Sequence, residues 1–167
     1  LGYKFLEVLL IIASSYTISA TPRLVKLFKE NKHLFMEKIR RDSLLLFAFG
    51  LIISLAVYFA GGWFLPIILK GGYQDGVAVA RIVVFSLPLI LINTIFYNSL
   101  YVMNKASSVV YLFIIQFLIN FFLNLWLIPR YSYFASAYLT VFSEILNSII
   151  SYILVYENFR RWRSAIS

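Results

Sequence analysis

An all-α, polytopic transmembrane helix bundle is the fold class this sequence predicts, and three observations predict it. Of its 167 residues 62% are hydrophobic and only 13% are charged, where a soluble domain carries about 25% charged residues. The mean hydropathy is +0.86. Most charged side chains fall in short clusters between apolar runs of about 20 residues, the length a helix needs to cross a hydrocarbon core about 30 Å thick. The alternating strands of about 10 residues that mark an outer-membrane barrel are absent from the sequence. The excess of 15 Lys and Arg over 7 Asp and Glu has no aromatic interleaving on a soluble scaffold, so it does not point to nucleic acid as a partner. Topology accounts for it instead.

Five spans follow, at about 1–20, 43–64, 79–103, 109–127 and 133–156, each long enough for a helix rising about 1.5 Å per residue. The first, LGYKFLEVLLIIASSYTISA, holds one acid, Glu7. Between it and the second lies segment 21–42, which carries Arg23, Lys26, Lys29, Lys32, Lys38, Arg40 and Arg41. Its Leu24, Leu27, Phe28, Leu34, Phe35 and Ile39 suit an amphipathic loop of two short helices lying on the inner leaflet, with lysines snorkelling to headgroups. The next three loops hold Lys70, Lys105 and Arg130, and the tail holds Arg160, Arg161 and Arg163. Because cytoplasmic loops carry the Lys and Arg excess, segment 21–42 and the C-terminus are expected in the cytoplasm. An odd number of spans then starts the chain outside. With no initial methionine, that predicts a fragment lacking an N-terminal part that contains at least one more helix.

Trp63, Trp126 and Trp162 lie near span ends, where indoles favour the headgroup region. The third span contains Pro88, which predicts a kink with Asn93 and Asn98 on its inward side. Arg81 at the start of that span and Glu7 both fall in the outer half and are placed to pair. A guanidinium there also suits an anionic substrate group, which it binds bidentately.

The intramembrane polar residues are the candidate functional groups. On the fifth span Ser136, Thr140, Ser143, Asn147 and Ser151 recur at helical spacing and draw a small, polar stripe. Such a stripe serves close helix packing or lines a cavity. Beside it stands Glu144, about 17 Å along the axis from either end of the span. An acid at that depth costs on the order of 3 kcal/mol to insert, so it should face a bundle interior or a water-filled cavity. On the fourth span Gln116, Asn120 and Asn124 share a face. With a hairpin turn at Arg130 and Tyr131, Gln116 and Asn120 bracket Glu144 and are its expected partners. Glu144 is then a proton acceptor, a cation ligand or a group that fixes helix pairing.

Enzymatic chemistry finds little support in the sequence. There is no cysteine, and HExxH, phosphate-loop and nucleophile-elbow patterns are missing. The single histidine, His33, sits in the basic segment, and the two aspartates, Asp42 and Asp75, lie in or beside loops. No cofactor, metal site or catalytic residue is therefore expected.

The stretch NFFLNLWLIPRYSYFASAYLTVFSE, residues 120–144, resembles the lipid-linked polysaccharide flippases, the Wzx-type O-antigen and capsule translocases of the multidrug, oligosaccharidyl-lipid and polysaccharide exporter superfamily. The matching positions are Asn120, Asn124, Ile128, Pro129, Arg130, Tyr131, Ala137, Thr140, Ser143 and Glu144. The first span and its exit, YKFLEVLLIIASSYTISATPRLVKL, also resemble the family's entry into a basic segment after a proline. Ser132 and Ala135 stand where the family usually has glycines.

That resemblance implies two helical bundles around a central cavity, residues 1–167 being most of the second and the N-terminal bundle being absent from this sequence. It implies a bacterial inner-membrane transporter that turns an oligosaccharide on undecaprenyl pyrophosphate across the bilayer by alternating access, with a proton or sodium as coupling ion. Its pathway candidates are Glu144, Asn120, Gln116, Asn124, Asn147, Glu7 and Arg81. A multidrug or cation antiporter of the same superfamily is the nearest alternative, and a membrane-embedded polysaccharide-synthesis enzyme a more distant one. Cavity-facing Arg and Lys in the other bundle would favour the sugar lipid; acidic and aromatic lining would favour cationic drugs.

Overall fold

The computed structural model describes the backbone of residues 2–68 and 74–164, and the side chains of Ile11, 14–63, 76–132 and 134–161. Helix dominates: α1 (Gly2–Glu30), α2 (Lys32–Ile68), α3 (Gln74–Val83), a 3-10 turn (Val84–Ser86), α4 (Leu87–Val102) and α5 (Ala106–Ser164). No strand occurs among the described residues. Four stretches, Lys32–Trp63, Gly76–Val102, Ala106–Ser132 and Phe134–Arg161, are long and apolar enough to cross a membrane. They overlap the second to fifth predicted spans, the first of them starting at Lys32 rather than at 43. The first predicted span lies within α1, which is not among those four. Most of its side chains, Glu7 included, fall outside the described residues, as do the 69–73 connection and the Trp162 side chain.

Segment 21–42 differs from expectation. It is no separate pair of surface helices: α1 runs on to Glu30 and α2 begins at Lys32, so the two spans extend into a helical hairpin broken only at Asn31. The Asn31 side chain caps the second helix, its Oδ1 accepting the Leu34 N–H at 3.0 Å. Leu24, Phe35 and Ile39 are buried in the bundle core. Phe35 also meets Phe28 and Phe159, at ring separations of 5.2 and 6.5 Å. Burial against protein on both sides removes more apolar surface from water than one-sided contact with headgroups. That favours helices continuing straight from the spans. Near the base of the hairpin, buried Asp42 accepts hydrogen bonds from Tyr16 Oη of α1 and from Lys38 Nζ at 2.5 Å.

The expected kink before Pro88 is a defined break. A proline at 88 has no N–H to offer the carbonyl of residue 84, the partner it would have in an α-helix. The chain tightens so that the Leu87 N–H bonds the Val84 carbonyl instead. That carbonyl gains a second donor from α2, Ser54 Oγ at 2.7 Å. One turn earlier on α2, Gly50 makes the approach possible: a Cβ there would stand 2.6 Å from Pro88 Cα. Small residues four apart that let backbones approach are a common device of membrane helix pairs. The same face continues through Tyr58 and Gly62, so α2 presents one contact stripe to α3, the 3-10 turn and α4.

At the other end α5 doubles back. Its helical path is interrupted at Ser132, with φ 61° and ψ −163°, a backbone region otherwise reserved for glycine. The hairpin therefore pivots on Ser132 rather than on Arg130 and Tyr131, which stay helical. Arg130 instead lays its guanidinium over the Trp126 ring, 4.8 Å from its centroid. α4 is central: α1, α2 and both limbs of α5 pack on it. Of the most apolar window in each span, 56% is buried in Gly76–Val102 against 11% in Ala106–Ser132.

Candidate functional site

Glu144 lies on the C-terminal limb of α5, and its carboxylate turns into the interface with α4 and the other limb. Gln116 Nε2 donates to Oε1 at 2.9 Å, and Asn93 Nδ2 of α4 donates to Oε2 at 2.9 Å. Three helical segments thus converge on one acid. Each donor is an uncharged amide, and no ion pair to Glu144 occurs among the described residues. Two amide hydrogen bonds stabilise an anion in a setting that would otherwise penalise it. The arrangement can hold a carboxylate away from lipid, exchange a proton, or offer oxygen atoms to a cation.

The cluster extends along the helix. Asn147, on the next turn of the same limb, donates through Nδ2 to the Tyr97 hydroxyl of α4, and Ser151 Oγ reaches Asn147 Oδ1 at 3.4 Å. Asn93 Oδ1 is buried with no hydrogen-bond partner among the described residues. A cavity of about 20 Å³ lies beside Gln116, Ser143 and Asn147, room for about one water. Two of the stripe's hydroxyls turn inward to their own helix, Thr140 to the Ser136 carbonyl at 2.9 Å and Ser143 to that of Thr140 at 3.0 Å, and the neighbouring Ser148 does the same to the Glu144 carbonyl at 2.8 Å. With Ser143 and Ser151 buried, the stripe packs helices, while Glu144 and Asn147 reach across to α4.

Not every expected residue joins. Asn120 does not bond Glu144. Its amide donates to the Gln116 carbonyl one turn back at 3.1 Å, and Asn124 repeats the pattern on Asn120 at 2.8 Å. Gln116 has one more methylene, which lets it reach across the hairpin where asparagine bonds its own helix. Asn120 and Asn124 instead line a shallow cleft of about 430 Å³ with Phe117 and Phe121.

Arg81 is far from the cluster in sequence and in partners. Its guanidinium lies 5.6 Å from the Tyr58 ring centroid and rests on Gly62, where any Cβ would collide with it. Its Nε is buried without a hydrogen-bond partner among the described residues. The expected Glu7 partnership falls outside the described residues on the Glu7 side.

Asn93 is the residue sequence reasoning passed over as a partner. Glu144 is 51 positions away, so no local pattern links them. A depth comparison was the available signal, since both residues fall near the middle of their spans. His33 is exposed and meets Glu37 at 3.9 Å. No group of three or more metal-ligating side chains gathers among the described residues.

No family model matches this chain, and no curated protein or solved structure was found to be similar to it. What the helices define is the class: a multi-pass, all-α membrane protein. Its most distinctive chemical feature is an acid in mid-span held by amides from two neighbouring segments.

Proposed function

We propose that the protein is a transmembrane transporter of the bacterial inner membrane that flips an oligosaccharide carried on undecaprenyl pyrophosphate, as part of polysaccharide biosynthesis. Alternating access between this bundle and a second, N-terminal one is the mechanism, and Glu144 is the group through which a proton or sodium ion couples to it. One observation carries the proposal: Glu144 is held in mid-span by Asn93 and Gln116, at the end of the motif that resembles the flippases. A carboxylate at that depth costs on the order of 3 kcal/mol to insert, more than one helix contact usually returns, since interhelical hydrogen bonds in membranes average about 0.6 kcal/mol. A role in coupling explains why a cheaper residue does not stand there. Transport itself requires no covalent chemistry from these residues.

The test is removal of the protein from the cells that make it. The lipid-linked oligosaccharide should then accumulate on the cytoplasmic leaflet while surface polysaccharide falls, and restoring the protein should reverse both. Surface polysaccharide at its normal level in cells lacking the protein would overturn the proposal, provided no second transporter is present.

A further inference from the structure

The stretch Gly76–Val102 is the most buried of the four that are long enough to cross a membrane, yet its helix is interrupted, α3 ending at Val83 and α4 beginning at Leu87. A break inside a spanning helix frees carbonyls that lipid cannot satisfy, so other groups must take them over. Two serine hydroxyls do so. In an unbroken helix the Val83 carbonyl would receive the Leu87 N–H, which bonds Val84 instead. Ser86 Oγ donates to Val83 in its place, at 2.7 Å. The Val84 carbonyl, which Pro88 cannot serve, also takes Ser54 Oγ of α2 at 2.7 Å. Both serines are fully buried. A hydroxyl rotates to suit its acceptor, so it can follow a carbonyl that tilts, whereas a backbone N–H inside a helix cannot.

The two sides of the break are held to α2 differently. On the α4 side backbone meets backbone, a Cβ on Gly50 having only 2.6 Å to Pro88 Cα and 3.0 Å to Pro88 N. On the α3 side α2 meets the long side chain of Arg81, which lies over the Tyr58 ring and against the bare backbone of Gly62. Arg81 Nε is buried with no hydrogen-bond partner, and no carboxylate meets the guanidinium, among the described residues. An orphaned N–H costs about as much as a cation–π contact returns, so this hold is close to balance. Tyr58 also touches Phe85 of the 3-10 turn, at a ring separation of 5.6 Å, and so joins the Arg81 contact to the break.

We propose that α3 is a swinging gate: it pivots about the Val84–Ser86 turn while α4 stays fixed on α2, and Arg81 is the latch that lifts from Tyr58 and Gly62. The movement opens the end of the bundle remote from Asn31 and brings Arg81 Nε to water. A 3-10 turn inside a helix is a common place for such a hinge, and a hinge needs only a few residues that absorb the change. The gate does not depend on what the protein transports.

The chain has no cysteine, so introduced cysteines are its only sites for spin labels. Pulsed electron paramagnetic resonance on the protein in lipid nanodiscs tests the gate with two pairs that share a label at exposed Ile52 of α2. The pair Val77→Cys and Ile52→Cys, from α3 to α2, should show two distances. The pair Tyr101→Cys and Ile52→Cys, from α4 to α2, should show one. Pro88→Ala returns an N–H to the Val84 carbonyl while keeping the Cα that meets Gly50, and should merge the two α3 distances into one. Tyr58→Leu removes the ring from under Arg81 and leaves the pivot backbone alone, so the share of the longer α3 distance should rise about threefold or more. A single distance for the α3 pair in the otherwise unaltered protein, or a Tyr58→Leu distribution identical to it, would overturn the proposal.

Discussion

Gln116 and Glu144 face each other across a hairpin, joined by a 2.9 Å hydrogen bond from Nε2 to Oε1, and this pair sets how the two limbs of α5 meet. Removing either partner should loosen the hairpin. A double-mutant cycle with Gln116→Leu and Glu144→Leu, read by thermal unfolding in detergent, is expected to give a coupling of about 1–2 kcal/mol, toward the upper end for hydrogen bonds between membrane helices. Additive effects would show that the two groups do not interact.

Ser132 holds a backbone conformation that suits glycine. Ser132→Gly should raise the unfolding temperature, because strain of about 1–3 kcal/mol is relieved in the folded state. Glycine's greater freedom in the unfolded chain offsets roughly 1 kcal/mol of that gain. Ser132→Val should lower it. A lower unfolding temperature for the glycine variant would contradict the assigned turn.

The approach of α2 to α4 at Gly50 leaves no room for a side chain, with Pro88 Cα 2.6 Å from where a Cβ would stand. Backbone cannot yield as a flexible side chain does. Gly50→Ala is expected to destabilise by about 1–3 kcal/mol, as overpacked cores do. Ser54→Ala, which removes the second donor to the Val84 carbonyl, should cost about 1 kcal/mol. If calorimetry finds Gly50→Ala as stable as wild type, the close crossing is wrong.

Asp42 balances Lys38 in a buried setting, their side chains 6% and 10% exposed. Asp42→Ala strands the ammonium and should cost about 3–5 kcal/mol. Asp42→Asn keeps an acceptor for Tyr16 and should cost less. Chemical unfolding of both variants checks the order, and a reversed order would count against the pairing.

The helical class and the second to fifth spans were legible because hydropathy over twenty residues is a strong, local signal. Gln116 as a partner of Glu144 was legible too, since a hairpin maps one limb on the other by counting. The hairpin at Asn31 was not, because amphipathic spacing around Leu24, Phe35 and Ile39 reads the same whether the partner is headgroup or protein. Asn120 misled for a related reason: spacing puts it on the right face but does not say whether an amide bonds across or back to its own helix. Asn93 lies on another helix, and only the packing of α4 brings it to the acid. The stripe Gly50, Ser54, Tyr58 and Gly62 shows the same limit, since its meaning depends on the break at Pro88 and the position of Arg81.

Coupling through Glu144 is the central claim. In cells producing the protein in its natural membrane, Glu144→Gln keeps the size of the side chain and one of the two oxygens that accept from Asn93 and Gln116 while removing its charge and titration. Export of the lipid-linked oligosaccharide, followed as surface polysaccharide against the lipid intermediate left on the cytoplasmic leaflet, should fall at least tenfold with an unchanged amount of protein in the membrane. Full export at that same protein level would contradict it and leave Glu144 as a group that only joins helices.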